Sequence, residues 1–305
     1  MLLSSAVGDA LGVPYEFAVP PLPGEEAVMT GGGLGNCAPG EWSDDTSMAV
    51  AIARVAATGV DLTSADALDE IARGFLAWYA DGPADVGIQT RAVLAATSRA
   101  GGRPADAMML EAAAYTAQHA HSAGNGALMR TAPVALAHLD DRDKCARAAR
   151  LVARLTHADP LAGDSCVLWS EAIRLAVRGG EIDVLAGLDL LPDSRQSTWR
   201  DWLNDALGDH AGEVPGSRFV PNGFTVAALQ AALAAVTHSA GLTSALHNAV
   251  RIGNDTDTVA AIAGGLLGAR FGAGAVPAEW RQAVHGWPGL TGEDLVRLAL
   301  SAVGS

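Results

Sequence analysis

An all-α fold is what this sequence predicts, a compact bundle of many helices, and three observations carry that expectation. Half of the 305 residues are hydrophobic, with alanine prominent among them and 35 glycines besides, while aromatics are only 5%, and small side chains let helices approach closely. Apolar residues recur at three- and four-residue steps along most of the chain. Val, Ile and Thr rarely alternate with polar residues for more than a few positions, so strand signals are nearly absent.

Each element follows in order. Gly8-Asp9-Ala10-Leu11-Gly12 reads as helix whose small residues allow close packing on a neighbour, with Glu16 beyond it in a segment bounded by Pro14 and Pro20. Residues 18–41 hold Pro20, Pro21, Pro23 and Pro39 with a Gly31-Gly32-Gly33 run and read as loop. Asp45-Thr46 then open an amphipathic helix marked by Met48, Ile52 and Val55. Ala67, Ile71, Phe75 and Trp78 mark the next. Further helices are expected at 87–99, 105–118, 143–156, 164–178, 225–237 and 242–250, with a final pair at 257–270 and 293–302. The stretch 179–224, broken by Gly179-Gly180, Pro192, Pro215 and Pro221, reads as a connection with short helical pieces. Residues 1–305 are expected to form a single domain, because the two acidic clusters described below lie on opposite sides of that connection.

The formal net charge of −14 repels nucleic-acid phosphates, and no basic stripe offsets it, which argues against nucleic-acid partners. Cys37, Cys145 and Cys166 share no short spacing; three buried thiols in a reducing compartment is the expectation. The N-terminus lacks a basic region, and the longest apolar run, Val259 to Ala269, is about half of the ~20 residues a membrane span needs. The protein is expected to be soluble, cytoplasmic and, by default, a monomer.

Two short clusters carry the chemistry, Ser43-Asp44-Asp45-Thr46 and Asp255-Thr256-Asp257-Thr258. Each leaves a Gly-containing loop and opens an apolar helix. Asp, Ser and Thr favour helix N-caps, so either cluster alone reads as a cap. The surplus is what capping fails to explain. One cap needs one acceptor, whereas four carboxylates and four hydroxyls stand here with no Lys or Arg beside them. Such oxygens suit hard cations such as Mg²⁺, Mn²⁺ or Ca²⁺, and the lack of thiols or paired His argues against zinc. An isoprenoid-synthase-like site needs acids at helical i, i+4 spacing, and Asp-Asp-Thr-Ser-Met at 44–48 lacks the second acid. Gly124-Asn125-Gly126, ahead of Arg130 and Pro133, permits positive φ and reads either as a tight interhelical turn, favoured by composition, or as an anion pocket of free amides. His157 alone reads more readily as a capping or partly buried histidine than as a functional one.

Taken in order, these stretches resemble the ADP-ribosylglycohydrolase family: Gly8 to Gly12 with Glu16, Trp42 to Thr46, Gly124-Asn125-Gly126 through Arg130 and Pro133, Thr156-His157, and Gly253-Asn254-Asp255-Thr256-Asp257-Thr258 before a Gly-rich helix. The resemblance implies a compact multi-helix orthogonal bundle with a centre of two divalent cations, Mg²⁺ or Mn²⁺, in a cleft. It implies release of ADP-ribose from an ADP-ribosylated protein side chain, such as arginine, or from a small molecule. Ser43, Asp44, Asp45, Asp255, Asp257 and Thr258 are then the expected metal ligands, with Asp257 bridging. Glu16 and Asp45 are the expected catalytic carboxylates, one of them taking a proton from the attacking water. Gly87, Ser122, Gly124, Asn125, Gly126, Met129 and His157 are expected to bind the substrate, Gly87 on the ligand-facing loop Asp85-Val86-Gly87. Ser43 stands where Thr is common and Asn254 where Gly is common, a change that left-handed backbone tolerates. The chain begins close to Gly8-Asp9, an early start that points to a shortened first helix or a misassigned start. The alternatives are a non-catalytic relative that only holds ADP-ribose, and a phosphoesterase that cuts the pyrophosphate.

Overall fold

Helices follow one another almost without interruption in the computed structural model, which describes residues 1–208 and 212–303. They run α1 (Leu2–Gly12), α2 (Asp44–Ala56), α3 (Ala65–Ala80), α4 (Ile88–Thr97), α5 (Pro104–Gln118), α6 (Ala132–Ala137) and α7 (Arg142–Arg154). The second half holds α8 (Pro160–Gly179), α9 (Asp193–Leu207), α10 (Thr225–Thr237), α11 (Leu242–Arg251), α12 (Thr256–Phe271), α13 (Ala278–Ala283) and α14 (Gly292–Val303). A hairpin of β1 (His285–Gly286) antiparallel to β2 (Leu290–Thr291) is the only sheet among the described residues. The chain is all-α, as its composition and periodicity predict. No helix is long and apolar enough to cross a membrane among the described residues.

Local chemistry sets several helix starts. Ser64 Oγ accepts from Ala67 N–H at 3.2 Å, and Asp141 Oδ1 from Lys144 N–H at 2.9 Å. Asp159 Oδ1 accepts from Leu161 N–H at 2.9 Å, with Pro160 in the first helical turn. Gly180, at φ 71°, ends α8 in the left-handed conformation that glycine adopts without strain.

Two expectations need correction. The stretch 179–224 holds more than short helical pieces, because α9 is a full 15-residue helix. Its sequence is mostly polar, and only Trp199, Leu203 and Ala206 are buried, a thin seam against α10 that periodicity barely registers. Of that stretch, 209–211 lie outside the described residues. Of the three thiols, Cys145 and Cys166 are buried but Cys37 is partly exposed, since it stands in the 18–41 loop outside the core.

One apolar cluster runs from Leu2 to Ala302. At its centre α1, buried at every residue, lies antiparallel on α12 with backbone against backbone. A Cβ added at Gly8 would fall 2.1 Å from Ala260 O, and one at Gly264 would fall 2.2 Å from Ser4 O. At Gly12 it would fall 2.3 Å from Asp257 Cα. Ser5 Oγ donates to Ala261 O at 2.9 Å, and Thr256 Oγ1 to Gly12 O at 2.8 Å. The end of α1 is thereby held against the first turn of α12.

Gly8→Ala and Gly264→Ala should each lower stability by about 1–3 kcal/mol, the range for overpacking a tight interior. Gly179→Ala, where a Cβ meets open space, should leave it unchanged or slightly raised. Denaturant midpoints of the three variants check this; equal midpoints would mean the helix contact tolerates side chains.

Candidate metal centre and substrate cleft

Two loops deliver the acidic clusters. Trp42 N–H donates to His285 O at 3.0 Å and His285 N–H to Gly40 O at 3.1 Å, which lays an extended segment beside the hairpin and sets Ser43 at the head of α2. Gly253 and Asn254 both take positive φ, 82° and 61°, and turn the chain directly into α12 with Asp255 at its head. Asn is among the few side chains that tolerate this backbone.

At neither head does the N-cap side chain cap its own helix. Ser43 and Asp255 occupy the N-cap positions, yet neither side chain accepts an amide of the following turn. Ser43 Oγ donates to Asp45 Oδ2 at 2.9 Å instead, and Asp255 Oδ2 accepts from Asn125 Nδ2 at 2.7 Å. The amides of α2 are served from α1. Asp9 Oδ1 accepts from Ser43 N–H at 2.9 Å, and its Oδ2 accepts from Thr46 N–H at 3.0 Å and Thr46 Oγ1 at 2.6 Å. With capping done by Asp9, the carboxylates of Asp44 and Asp45 are left for another partner.

The two helix heads meet. Carboxylate oxygens of Asp9, Asp45 and Asp257 lie within 4.8 Å of one another, and so do those of Glu16, Asp255 and Asp257, which makes Asp257 common to both groups. Asp44 stands at the rim and accepts from Gly87 N–H at 3.3 Å. Burial, then the Asp85 carboxylate, pushes Asp44 up to about 7. Burial, then Asp85 and Asp255, pushes Glu16 up to about 9. Asp45 is held well above the usual carboxylate range by burial and then Asp9, and Asp257 by burial and then Asp45. Asp45 Oδ1 is buried without a hydrogen-bond partner. Oxygen-only donors, an orphaned buried carboxylate oxygen and two triads sharing one acid fit a pair of hard divalent cations.

A cleft of about 480 Å³ opens over Glu16, Asp44, Asp255, Asp257 and Thr258 and runs past Gly87 to Gly124, Asn125, Gly126, Met129 and His157. Ser43 and Asp45 are buried and lie behind that wall. Ser122 does not join the cleft: it is buried, while Asn125 N–H donates to Gly223 O and Ala123 O accepts from Thr225 N–H, a tie that leaves Gly124 on the cleft in its place. The same tie corrects the reading of the Gly-Asn-Gly turn. Asn125 has spent its amide, and neither glycine uses positive φ. They are small because His157 lies beneath: a Cβ on Gly126 would come 3.0 Å from its Cε1.

His157 is held by a short relay. Arg130 Nη2 donates to Thr156 Oγ1 at 2.6 Å, and that hydroxyl shares a hydrogen with His157 Nδ1 at 2.7 Å. Nε2 faces Gly124 and Gly126. Burial, then the Arg130 charge, lowers His157 to about 3, so the ring stays neutral. Arg130 is itself fully buried, its guanidinium 4.6 Å over the Phe75 ring.

Sequence reasoning missed two positioning residues. Asp9 reads there as part of a packing element; the available signal was a lone acid inside an otherwise apolar helix. Asn222 lies in a stretch read as a connection and gave no local signal. Its Oδ1 accepts from Asp255 N–H at 3.0 Å, its Nδ2 donates to Gly253 O at 3.1 Å, and its carbonyl accepts from Asn125 Nδ2 at 3.1 Å.

Residues 1–304 match the family model for ADP-ribosylglycohydrolase. The chain is 30% identical to ADP-ribosylarginine hydrolase Tri1 of Pseudomonas putida, over 93% of its own length and 72% of that protein. It is 30% identical to ADP-ribosyl-[dinitrogen reductase] glycohydrolase of Rhodospirillum rubrum, over 91% of its length and 86% of that protein. A solved structure described as an ADP-ribosylglycohydrolase-related protein complex superposes with a TM-score of 0.75 at 31% identity, covering 99% of this chain and 95% of that one.

The raised carboxyls fix a pH dependence. Free carboxyls titrate near about 4, so between there and the folded values of about 7 for Asp44 and about 9 for Glu16 the native state binds more protons than the unfolded one. Stability of the metal-free protein should therefore fall as pH rises from 5 to 9. Added Mg²⁺ or Mn²⁺ should raise the melting temperature more at pH 8 than at pH 5. A melting temperature indifferent to both pH and cations in thermal unfolding would contradict the centre.

Proposed function

We propose, for a chain that belongs to the ADP-ribosylglycohydrolase family, that it hydrolyses the glycosidic bond between ADP-ribose and an acceptor side chain or small molecule, with two divalent cations as cofactor. The observation that carries this reading is the pair of carboxylate triads sharing Asp257 on the floor of the cleft. Asp44, Asp45, Asp255 and Asp257, with the hydroxyls of Ser43 and Thr258, would hold Mg²⁺ or Mn²⁺. When bound, these ions supply Lewis acidity and neutralise the assembled charge.

The chain's own residues divide the remaining work. Glu16 faces the cleft and, ionised once bound cations offset the neighbouring acids that raise it, takes the proton from the attacking water as the anomeric bond breaks, in an oxocarbenium-like transition state. Asp45 is the weaker candidate for that role, because its free oxygen is buried behind the cleft wall, where a ligand role suits it better. His157 Nε2 and the wall from Gly124 to Met129 bind the ADP-ribose, with Gly87 on the rim beside Asp44.

Supplied with ADP-ribosylated peptides and Mg²⁺ or Mn²⁺, the protein should release intact ADP-ribose, and EDTA should abolish the release. Asp257→Asn should lower the rate roughly a hundredfold or more, the scale for losing one electrostatic partner of a transition state, with the helical circular dichroism unchanged. AMP as the product would indicate pyrophosphate cleavage, and tight ADP-ribose binding without turnover would indicate a binding protein.

A further inference from the structure

Arg130 is the one cation buried completely among the described residues, and no carboxylate there pairs with it. Besides Thr156 Oγ1, its guanidinium reaches only Met48 Sδ, at 3.4 Å, and the face of Phe75, and its Nε–H has no partner. Burying a cation without a counter-ion is costly, and an apolar side chain of similar volume would pack the same space at less cost. Burial lowers Arg130 to about 10, partly offset by the Cys166 thiol and the Asp44 carboxylate, so it stays charged at neutral pH. The cleft on the other side of His157 has the opposite character. Glu16, Asp44, Asp85, Asp255 and Asp257 line it, and no Lys or Arg does. Thr156 joins the two. Its carbonyl accepts from Gln89 Nε2 at 3.0 Å, and its hydroxyl has two partners, Arg130 Nη2 and His157 Nδ1. A guanidinium only donates, so Nδ1 is the one acceptor left for the hydroxyl's own hydrogen among the described residues.

We propose that Arg130 is the buried cation of the diphosphate subsite, a positioning residue that acts on ADP-ribose through Thr156 and His157 without touching it. The proposal rests on the hydrolase reading above, which sets ADP-ribose against His157, and it adds the charge that holds the phosphates. A diphosphate beside five carboxylates is repelled, and a neutral imidazole alone offers it one hydrogen bond. In the relay Arg130 donates to the hydroxyl, the hydroxyl donates to Nδ1, and Nε2 keeps the ring proton, facing Gly124 and Gly126 on the cleft wall. Each bond polarises the next, so Nε2–H becomes a stronger donor to an anion. A protonated ring would instead aim Nδ1–H at the hydroxyl and break the chain. The buried position has its own logic. An arginine in the cleft would pair with the acids there, whereas one behind the wall leaves them free for cations. Out of water, its field is also screened less by salt than that of a surface arginine.

Two variants test this. Arg130→Met removes the charge, and Thr156→Val keeps the charge but removes the hydroxyl. In calorimetry with ADP-ribose and Mg²⁺, the first should weaken binding about tenfold or more and the second about threefold or more, the scales for losing a charged and a neutral hydrogen bond. On an ADP-ribosylated peptide each should raise KM by a similar factor and leave kcat within about twofold, because the diphosphate is held alike in the ground and transition states. Nitrogen-15 spectra of the wild-type protein should show the His157 proton on Nε2 and none on Nδ1. Wild-type affinity in either variant, a kcat that falls as far as the affinity, or a proton on Nδ1 would overturn the role of Arg130 while leaving the hydrolase reading intact. Should Arg130→Met not fold, Thr156→Val and the spectra decide by the same criteria. ADP-ribose binding that the variants weaken, in a protein that releases no ADP-ribose from any peptide, would uphold the subsite and fail the hydrolase reading instead. A wild-type protein that binds no ADP-ribose would overturn both.

Discussion

The contact between α1 and α12 is the constraint on which the site depends. Because Gly8, Gly12 and Gly264 let the two backbones touch, the end of α1 is held against the first turn of α12. That fixes Asp9 where its two oxygens can accept from Ser43 and Thr46 at the head of α2. One buried helix thus sets the position of both acidic clusters, which lie some two hundred residues apart in sequence. Ordinary helix physics would cap each head with its own side chain. At the head of α2 the cap comes from Asp9, and the local carboxylates are freed for a ligand.

The freed charge is left unrelieved. Burial raises the carboxyls of Asp9, Glu16, Asp44, Asp45, Asp255 and Asp257, and at Glu16, Asp44, Asp45 and Asp257 the neighbouring acids of the set add to the effect. Hydrogen bonds from Ser43, Gly87 and Asn125 hold some of these oxygens in place, but none of the six carboxylates forms a salt bridge with a basic side chain among the described residues. A natural sequence keeps such local conflict where function requires it. The cleft lies over this conflict.

Much of the fold was legible because long helices repeat their apolar positions: Met48, Ile52 and Val55 in α2, and Ala67, Ile71, Phe75 and Trp78 in α3, are buried as that spacing predicts. Helix α9 was not, since Trp199, Leu203 and Ala206 are a narrow seam in a polar segment. The two clusters stood out by a surplus of acids, a local property. Asp9 and Asn222 did not, because their work is done across long sequence separations and only folding brings donor and acceptor together. The glycines of the Gly124–Gly126 turn were visible, but for a different reason: they make room for His157 rather than supply left-handed backbone. Asn254 did behave as its residue type foretold.

The central claim is that the heads of α2 and α12 form one cation site joined through Asp257. Anomalous diffraction from crystals soaked in Mn²⁺ tests it most directly. The expected result is manganese density between Asp45 and Asp255, with Asp257 touching each ion present. Manganese bound only at surface carboxylates, with Asp257 free of metal, would contradict it.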